Sequence, residues 1–145
     1  MKSNRKRMNV QPRQVTPARM EELVSELQLE IARRAYHFYE CRRRQAGAAD
    51  EDWQRAENEL AASPVADWLD GEDAICARVF AYEFAANELE YAVEPHRIRV
   101  CGKRASAPQW LLCTIDSPEA FVPAEVTAHF SECCLELRLP KIAIA

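Results

Sequence analysis

The apolar residues of this chain change their period once, and that change fixes what it can fold into. From Met20 they fall at Met20, Leu23, Val24, Leu27, Ile31, Ala35 and Phe38. Steps of three and four place them on one face of a helix. From Ala74 the step becomes two. Ile75, Ala77 and Val79 alternate with Cys76, Arg78 and Phe80; Leu89, Tyr91 and Val93 alternate with Glu90, Ala92 and Glu94. Ile98 and Val100 alternate with Arg97, Arg99 and Cys101, and Leu135, Leu137 and Leu139 with Cys134, Glu136 and Arg138. Runs of period two bounded by turn residues such as Glu94-Pro95-His96 are strands. Strands with one apolar face must bury it against a second layer. No long helical pattern lies between them, which argues against a βαβ fold. The expected class is therefore α+β: an N-terminal helical hairpin followed by a C-terminal antiparallel β-sandwich.

The helix boundaries follow from capping chemistry. Thr16-Pro17 suits a helix start, since Thr caps and Pro at the first helical position gives up only an N–H that would be unpaired there. The spacing predicts a first helix over 17–44, with Glu21 and Glu22 near its start and Arg42, Arg43 and Arg44 at its end to complement the macrodipole. The segment Gln45–Asp50 is a connector. Asp50 is expected to cap a second helix through Trp53, Ala56 and Leu60, with Trp53 packed on Tyr36 and Phe38. Ser63-Pro64 ends it, a short turn through Val65, Trp68 and Leu69 is expected to follow, and Asp70-Gly71 is a turn.

Charge is distributed unevenly. The chain carries a net charge of −4. Yet residues 1–20 contain Lys2, Arg5, Lys6, Arg7, Arg13 and Arg19 and no acid. Residues 1–15 are polar and aperiodic and are expected to be a disordered basic arm. Such an arm on an acidic body can contact nucleic acid or an anionic membrane, fold back on the body, or stay solvated. The expected organisation is 1–15 as arm, 16–70 as helical domain and 74–145 as sandwich.

Catalytic constellations are not found. His37, His96 and His129 lie far apart and have no metal-ligand partner at helical spacing. There is no G-x-S-x-G, HExxH or P-loop, and three glycines are too few for a loop built to cradle phosphate. The six cysteines, Cys41, Cys76, Cys101, Cys113, Cys133 and Cys134, form no CxxC pair. Most sit among Val, Leu and Ile as small apolar fillers, and adjacent Cys133-Cys134 rarely bridge because a vicinal disulfide is strained. No catalytic residue, cofactor or metal is expected. With no run of ~20 apolar residues to span a bilayer and no apolar segment after the charged N-terminus, the expected location is the cytoplasm.

Two resemblances add to this reading. Ile31-Ala-Arg-Arg-Ala-Tyr-His-Phe-Tyr-Glu40 followed by Asp52-Trp53-Gln-Arg-Ala-Glu-Asn-Glu-Leu60 resembles a small bacterial helical domain of unknown function, over about residues 28–62. It has the pattern A-Y-x-x-Y-E, a linker, then D-W-x-x-A-E-x-E-L. The linker carries Ala48-Ala49-Asp50 where that family usually has Gly-His-Asp. The resemblance implies a helix pair and no chemistry.

Leu89–Arg104, with Gly102-Lys103-Arg104 at its end, and Pro123–Val126 followed by Thr127–Lys141 resemble the α-crystallin domain of small heat-shock proteins, over about residues 74–141. The family's signature glycine is Cys133 here, the connection before Thr127 is shorter, and residues 105–120 are too few for a long swapped strand. The resemblance implies an ATP-independent holdase or protein-binding module, partly unfolded proteins as partners, and self-association into a dimer or larger homo-oligomer. Ile142-Ala-Ile144 is similar to the family's I-x-I tail, but lacks a spacer. The candidate client or partner contacts are Ile142, Ile144, Leu135 and Leu137. An alternative is a regulatory or scaffold protein that contacts nucleic acid through Lys2, Arg5, Lys6, Arg7 and Arg13.

Overall fold

Thr16 accepts a hydrogen bond from the Arg19 amide at 3.1 Å and opens helix α1, Pro17–Cys41. Met20, Leu23, Leu27, Ile31 and Phe38 form its buried face, as the three-and-four spacing requires. The computed structural model describes residues 11–42, 48–62, 64 and 66–142, and α1 ends at Cys41 with Arg42 as its cap, short of the expected end at 44.

Helix α2 spans Ala49–Leu60. Its cap is Ala48, not the expected Asp50, and no side chain closes it. Asp50, Glu51 and Asp52 instead occupy the first turn, where the helix dipole favours negative charge. Ala56 and Leu60 are buried as expected, and Asp52 takes the remaining buried position in place of Trp53. The exchange is set by polar chemistry. Asp52 takes a paired approach from the Arg42 guanidinium, with Nη2 at 2.6 Å and Nε at 3.2 Å. That turns Trp53 outward to 40% exposure. Phe38 receives the Arg55 guanidinium on its ring at 4.0 Å instead of an indole, and Tyr36 is exposed.

The sandwich has two sheets. The first runs β1-β5-β6-β7-β2 and the second β3-β4-β9-β8. These strands are β1 Arg13–Gln14, β2 Ala61–Ala62, β3 Ala66–Asp70, β4 Ala74–Phe80, β5 Leu89–Glu94, β6 Arg97–Lys103, β7 Trp110–Asp116, β8 Thr127–Ser131 and β9 Cys134–Pro140. All pairings are antiparallel except β1 with β5 and β2 with β7. The inner faces meet in a core of Ile75, Ala77, Val79, Leu89, Tyr91, Val93, Ile98, Val100, Leu111, Leu135, Leu137 and Leu139. All but Leu111, which lies on the unexpected strand β7, are residues of the period-two pattern. Gly102 lies on the same face. A Cβ there would come within 2.8 Å of Leu89 and 3.0 Å of the Phe84 ring, so the missing side chain lets Phe84 pack onto the sheet.

Two expectations are corrected at the strand ends. The short turn expected through Trp68 and Leu69 is strand β3, which pairs with β4 along Ala66↔Val79 to Asp70↔Ile75; Val65 is outside the described residues. Residues 11–15, expected to be disordered, include β1, paired with Glu90 and Tyr91 of β5. Residues 1–10 are outside the described residues. The span 104–109 is a tight connection, closed by Arg104 N–H donating to Gln109 O at 3.1 Å, and β7 pairs with β6 of its own chain.

The β8–β9 hairpin turns on Glu132 and Cys133, both with positive φ (50° and 65°). Two-residue hairpins of this hand match the strand twist but strain side chains with a Cβ. The turn geometry implied by the family's glycine is therefore retained at Cys133. We expect Cys133→Gly to stabilise the fold by up to about 1 kcal/mol, seen as a raised denaturant midpoint, because relief of the left-handed strain outweighs the added freedom of the unfolded chain. A lowered midpoint would mean that the half-buried thiol contributes more than the strain costs.

Candidate binding surfaces

Two long edges of the sandwich are treated differently. At one corner, residues 11–15 strap the β5 edge to the β8 edge. Val15 N–H donates to Tyr91 O at 2.8 Å, and Phe130 N–H donates to Gln11 Oε1 at 2.6 Å. Gln14 Nε2 reaches Pro123 O at 3.4 Å, Arg13 forms an ion pair with Glu90, and Pro12 is buried. These groups would otherwise present open strand edges to solvent. Deleting residues 2–15 should therefore lower stability by about 1–3 kcal/mol, the scale of two or three lost hydrogen bonds and one buried ring. A disordered arm would leave the thermal transition unmoved, so the melting curve of the deletion separates the two.

At the opposite corner β3 has no strand on its outer edge among the described residues. All five of its residues are exposed. Trp68 and Leu69 are 37% and 63% exposed. Trp68 lines a shallow cavity of about 130 Å³ with Ala66, Asp67 and Ile115.

The outer face of the first sheet is covered by α1, an arrangement that period alone did not reveal. Met20, Leu23, Leu27 and Ile31 cluster there with Ala92, Cys101 and Trp110, and Ala56 and Leu60 of α2 join them. Acids of α1 meet bases of β6: Glu21 with Arg99 at 2.7 Å, and Glu26 and Glu30 with Lys103 at 3.0 and 3.6 Å. Trp110 Nε1–H donates to Glu30 at 3.1 Å. The signal was present in the sequence as Ala92, Cys101 and Leu112, apolar residues at positions that alternation assigns to solvent. Burial beneath the helix pushes the Cys101 thiol up to about 12, which leaves it protonated and unreactive while the helix is seated.

The sequence-derived contact residues divide accordingly. Leu135 and Leu137 are at 0% exposure. They are core, not contact surface, because they point inward on the central strand β9, between β4 and β8. Ile142 is 48% exposed, just beyond Lys141, which bridges to Phe121; Ile144 is outside the described residues. Lys2, Arg5, Lys6 and Arg7 are also outside them, and Arg13 is engaged with Glu90. All six cysteines are free thiols; contrary to the expectation that no histidine has a partner at helical spacing, Cys41 Sγ lies 3.5 Å from His37 Nε2 one turn along α1. Among the described residues, no three His, Cys, Asp or Glu side chains gather as a metal-binding group, and no helix is long and apolar enough to cross a membrane.

The class of fold is that of the small heat-shock proteins. The chain is similar to HSP18.5 from E. histolytica (12% identity, TM-score 0.51, covering 58% of this chain and 92% of that one). It is similar also to heat shock protein 16.0 from Schizosaccharomyces pombe (17%, 0.53, 63% and 76%) and to hspA from Xanthomonas axonopodis (15%, 0.50, 55% and 94%). Identities this low establish the fold alone. No family model matches the chain, and no curated protein does. The helix pair's resemblance to a bacterial domain of unknown function thus rests on its residues.

Proposed function

We propose that this chain is an ATP-independent, non-enzymatic holdase or protein-binding module of the small heat-shock type, acting in the cytoplasm. The observation that carries the reading is a crystallin-type sandwich with an open edge strand and large apolar side chains left in solvent. Those side chains are Leu29, Tyr36, Trp53, Trp68, Leu69, Tyr82 and Ile142. Single exposed apolar residues are ordinary. Trp68 and Leu69, however, stand together on an edge whose unpaired backbone groups can add a strand. Partly unfolded proteins offer the complement, apolar side chains on extended chain. The mechanism is physical: the surface covers aggregation-prone segments and needs no bond chemistry.

The test is light scattering of a heat-unfolding client without nucleotide. Suppression that rises to completion near stoichiometric ratio is expected. Leu69→Ser should weaken it, since that side chain is 63% exposed and its loss leaves the core intact. Scattering that is unchanged at every ratio would leave this protein with the fold and without the activity.

A further inference from the structure

Two adjoining cavities, of about 250 and 570 Å³, lie where the middle of α1, the end of α2 and the 104–109 connection meet. They share Arg34, Leu60 and Pro108. Arg33 and His37 line the first, and Arg104 lines the second. The acids in their walls are Glu30 and Glu59, and both are already engaged. Glu30 takes the Lys103 ammonium at 3.6 Å and the Trp110 N–H at 3.1 Å. Glu59 is shared by Arg34 at 3.3 Å and Arg55 at 3.5 Å.

The arginines of this cleft are held loosely. Arg33 is exposed and makes no ion pair or hydrogen bond among the described residues. Arg104 reaches Glu83, an exposed carboxylate, only at 3.5 Å. The pairs that fix the fold are closer: 2.6 Å between Arg42 and Asp52, and 2.7 Å between Arg99 and Glu21. A long, exposed ion pair stabilises little, so it yields to a stronger anion. Part of the positive charge answers α2, whose last turn has no base to complement its dipole. One arginine meets that need; Arg33, Arg34 and Arg104 together exceed it.

We propose that this cleft is a binding site for an organic diphosphate of nucleotide size, a nucleoside diphosphate in class. A guanidinium fork matches the oxygens of a phosphate. The forks come from two elements, α1 and the 104–109 connection, which suits two linked phosphate groups. Leu60, Ala107 and Pro108 supply apolar surface for a ring, and Asn58 and Gln109 supply carboxamides for its polar edge. The larger cavity falls within the range of small-molecule sites, roughly 300–1,000 Å³. Side chains take the place of the glycine-rich loop that this sequence lacks. The cleft shares no residue with β3, so this reading and client protection stand or fall separately.

Calorimetric titration of the full-length protein at low salt, with ADP and with inorganic pyrophosphate, tests it. ADP should bind at one site per chain, about tenfold tighter than pyrophosphate, since only ADP brings a ring to Leu60 and Pro108. Both affinities should fall as salt screens the arginines. Arg33→Glu disturbs no ion pair of the fold and should weaken ADP about tenfold or more at an unchanged melting temperature. Arg138→Glu makes the same charge change at an exposed position of β9, outside the cleft, and should leave ADP affinity within about twofold. Equal losses in the two variants would reduce the effect to net charge and overturn the site. So would the absence of saturable binding, or ADP binding no tighter than pyrophosphate. A labelled oligonucleotide that binds tighter than ADP and depends on Arg33 would give the cleft to a polymer, and the proposal falls.

Discussion

Trp110→Ala is expected to cost about 3–5 kcal/mol and to loosen the helices from the sheet without dissolving the sandwich. The magnitude is that of deleting a large aromatic from a packed site. Trp110 has 0% exposure, between α1 and the outer face of the first sheet. Its ring carries the Lys103 ammonium at 4.9 Å, and its N–H is bonded to Glu30. Truncation would leave a cavity and free two charged groups from a common anchor. Urea unfolding measures the loss. The location of the loss is read from Cys101, which lies in the same cluster. Its alkylation, resolved from the other five thiols by mass spectrometry, should be slow in the parent and accelerate in Trp110→Ala. Trp110→Phe keeps most of the ring and loses one hydrogen bond, so about 1 kcal/mol is expected. If Trp110→Ala unfolds the chain in one step with Cys101 protected up to that transition, the helices and sandwich form a single cooperative unit, and the separable helical layer is refuted.

Much of the fold was legible because burial writes a period into sequence. The alternation of Ile75, Ala77 and Val79 and of Leu135, Leu137 and Leu139 is the inner face of the second sheet. The run Met20, Leu23, Leu27, Ile31 is the buried face of α1. What was not legible was decided by pairs of residues distant in sequence. Asp52 took the buried position adjacent to Trp53 because Arg42 was there to receive its charge, and polarity alone would have sent it outward. Residues 11–15 look disordered by composition, yet side-chain bonds from Gln11 and Gln14 and the Val15 amide hold them in a gap between sheets. Strand β3 has apolar content too short and too mixed for either period, and only pairing with β4 defines it. The contact residues were read least well. Alternation identifies Leu135 and Leu137 as apolar, but it cannot distinguish an apolar face turned to the core from one turned to a partner.

That distinction gives the second large effect. Leu137→Ala should destabilise the sandwich by about 2–5 kcal/mol, the range for a fully buried leucine, while Ile142→Ala should leave the melting temperature nearly unchanged. Leu137 pairs with Ala77 of β4 on one side and Ala128 of β8 on the other. Two small neighbours leave the leucine to fill the centre of the second sheet's inner face, and neither alanine side chain can reach into the space it would vacate. The cost should therefore fall in the upper part of that range, where the cavity cannot collapse. Ile142 lies past the last strand at 48% exposure, so truncating it removes little buried area. Had both residues been partner contacts, each would alter association and neither would alter the stability of the isolated chain. Chemical denaturation of both variants, set beside their effect on client scattering, separates these cases. The expected pattern is a large stability loss for Leu137→Ala and any loss of protection from Ile142→Ala occurring at unchanged stability. A small cost for Leu137→Ala would mean that β9 is not the centre of the core, and the register along Ala77, Leu137 and Ala128 would be wrong.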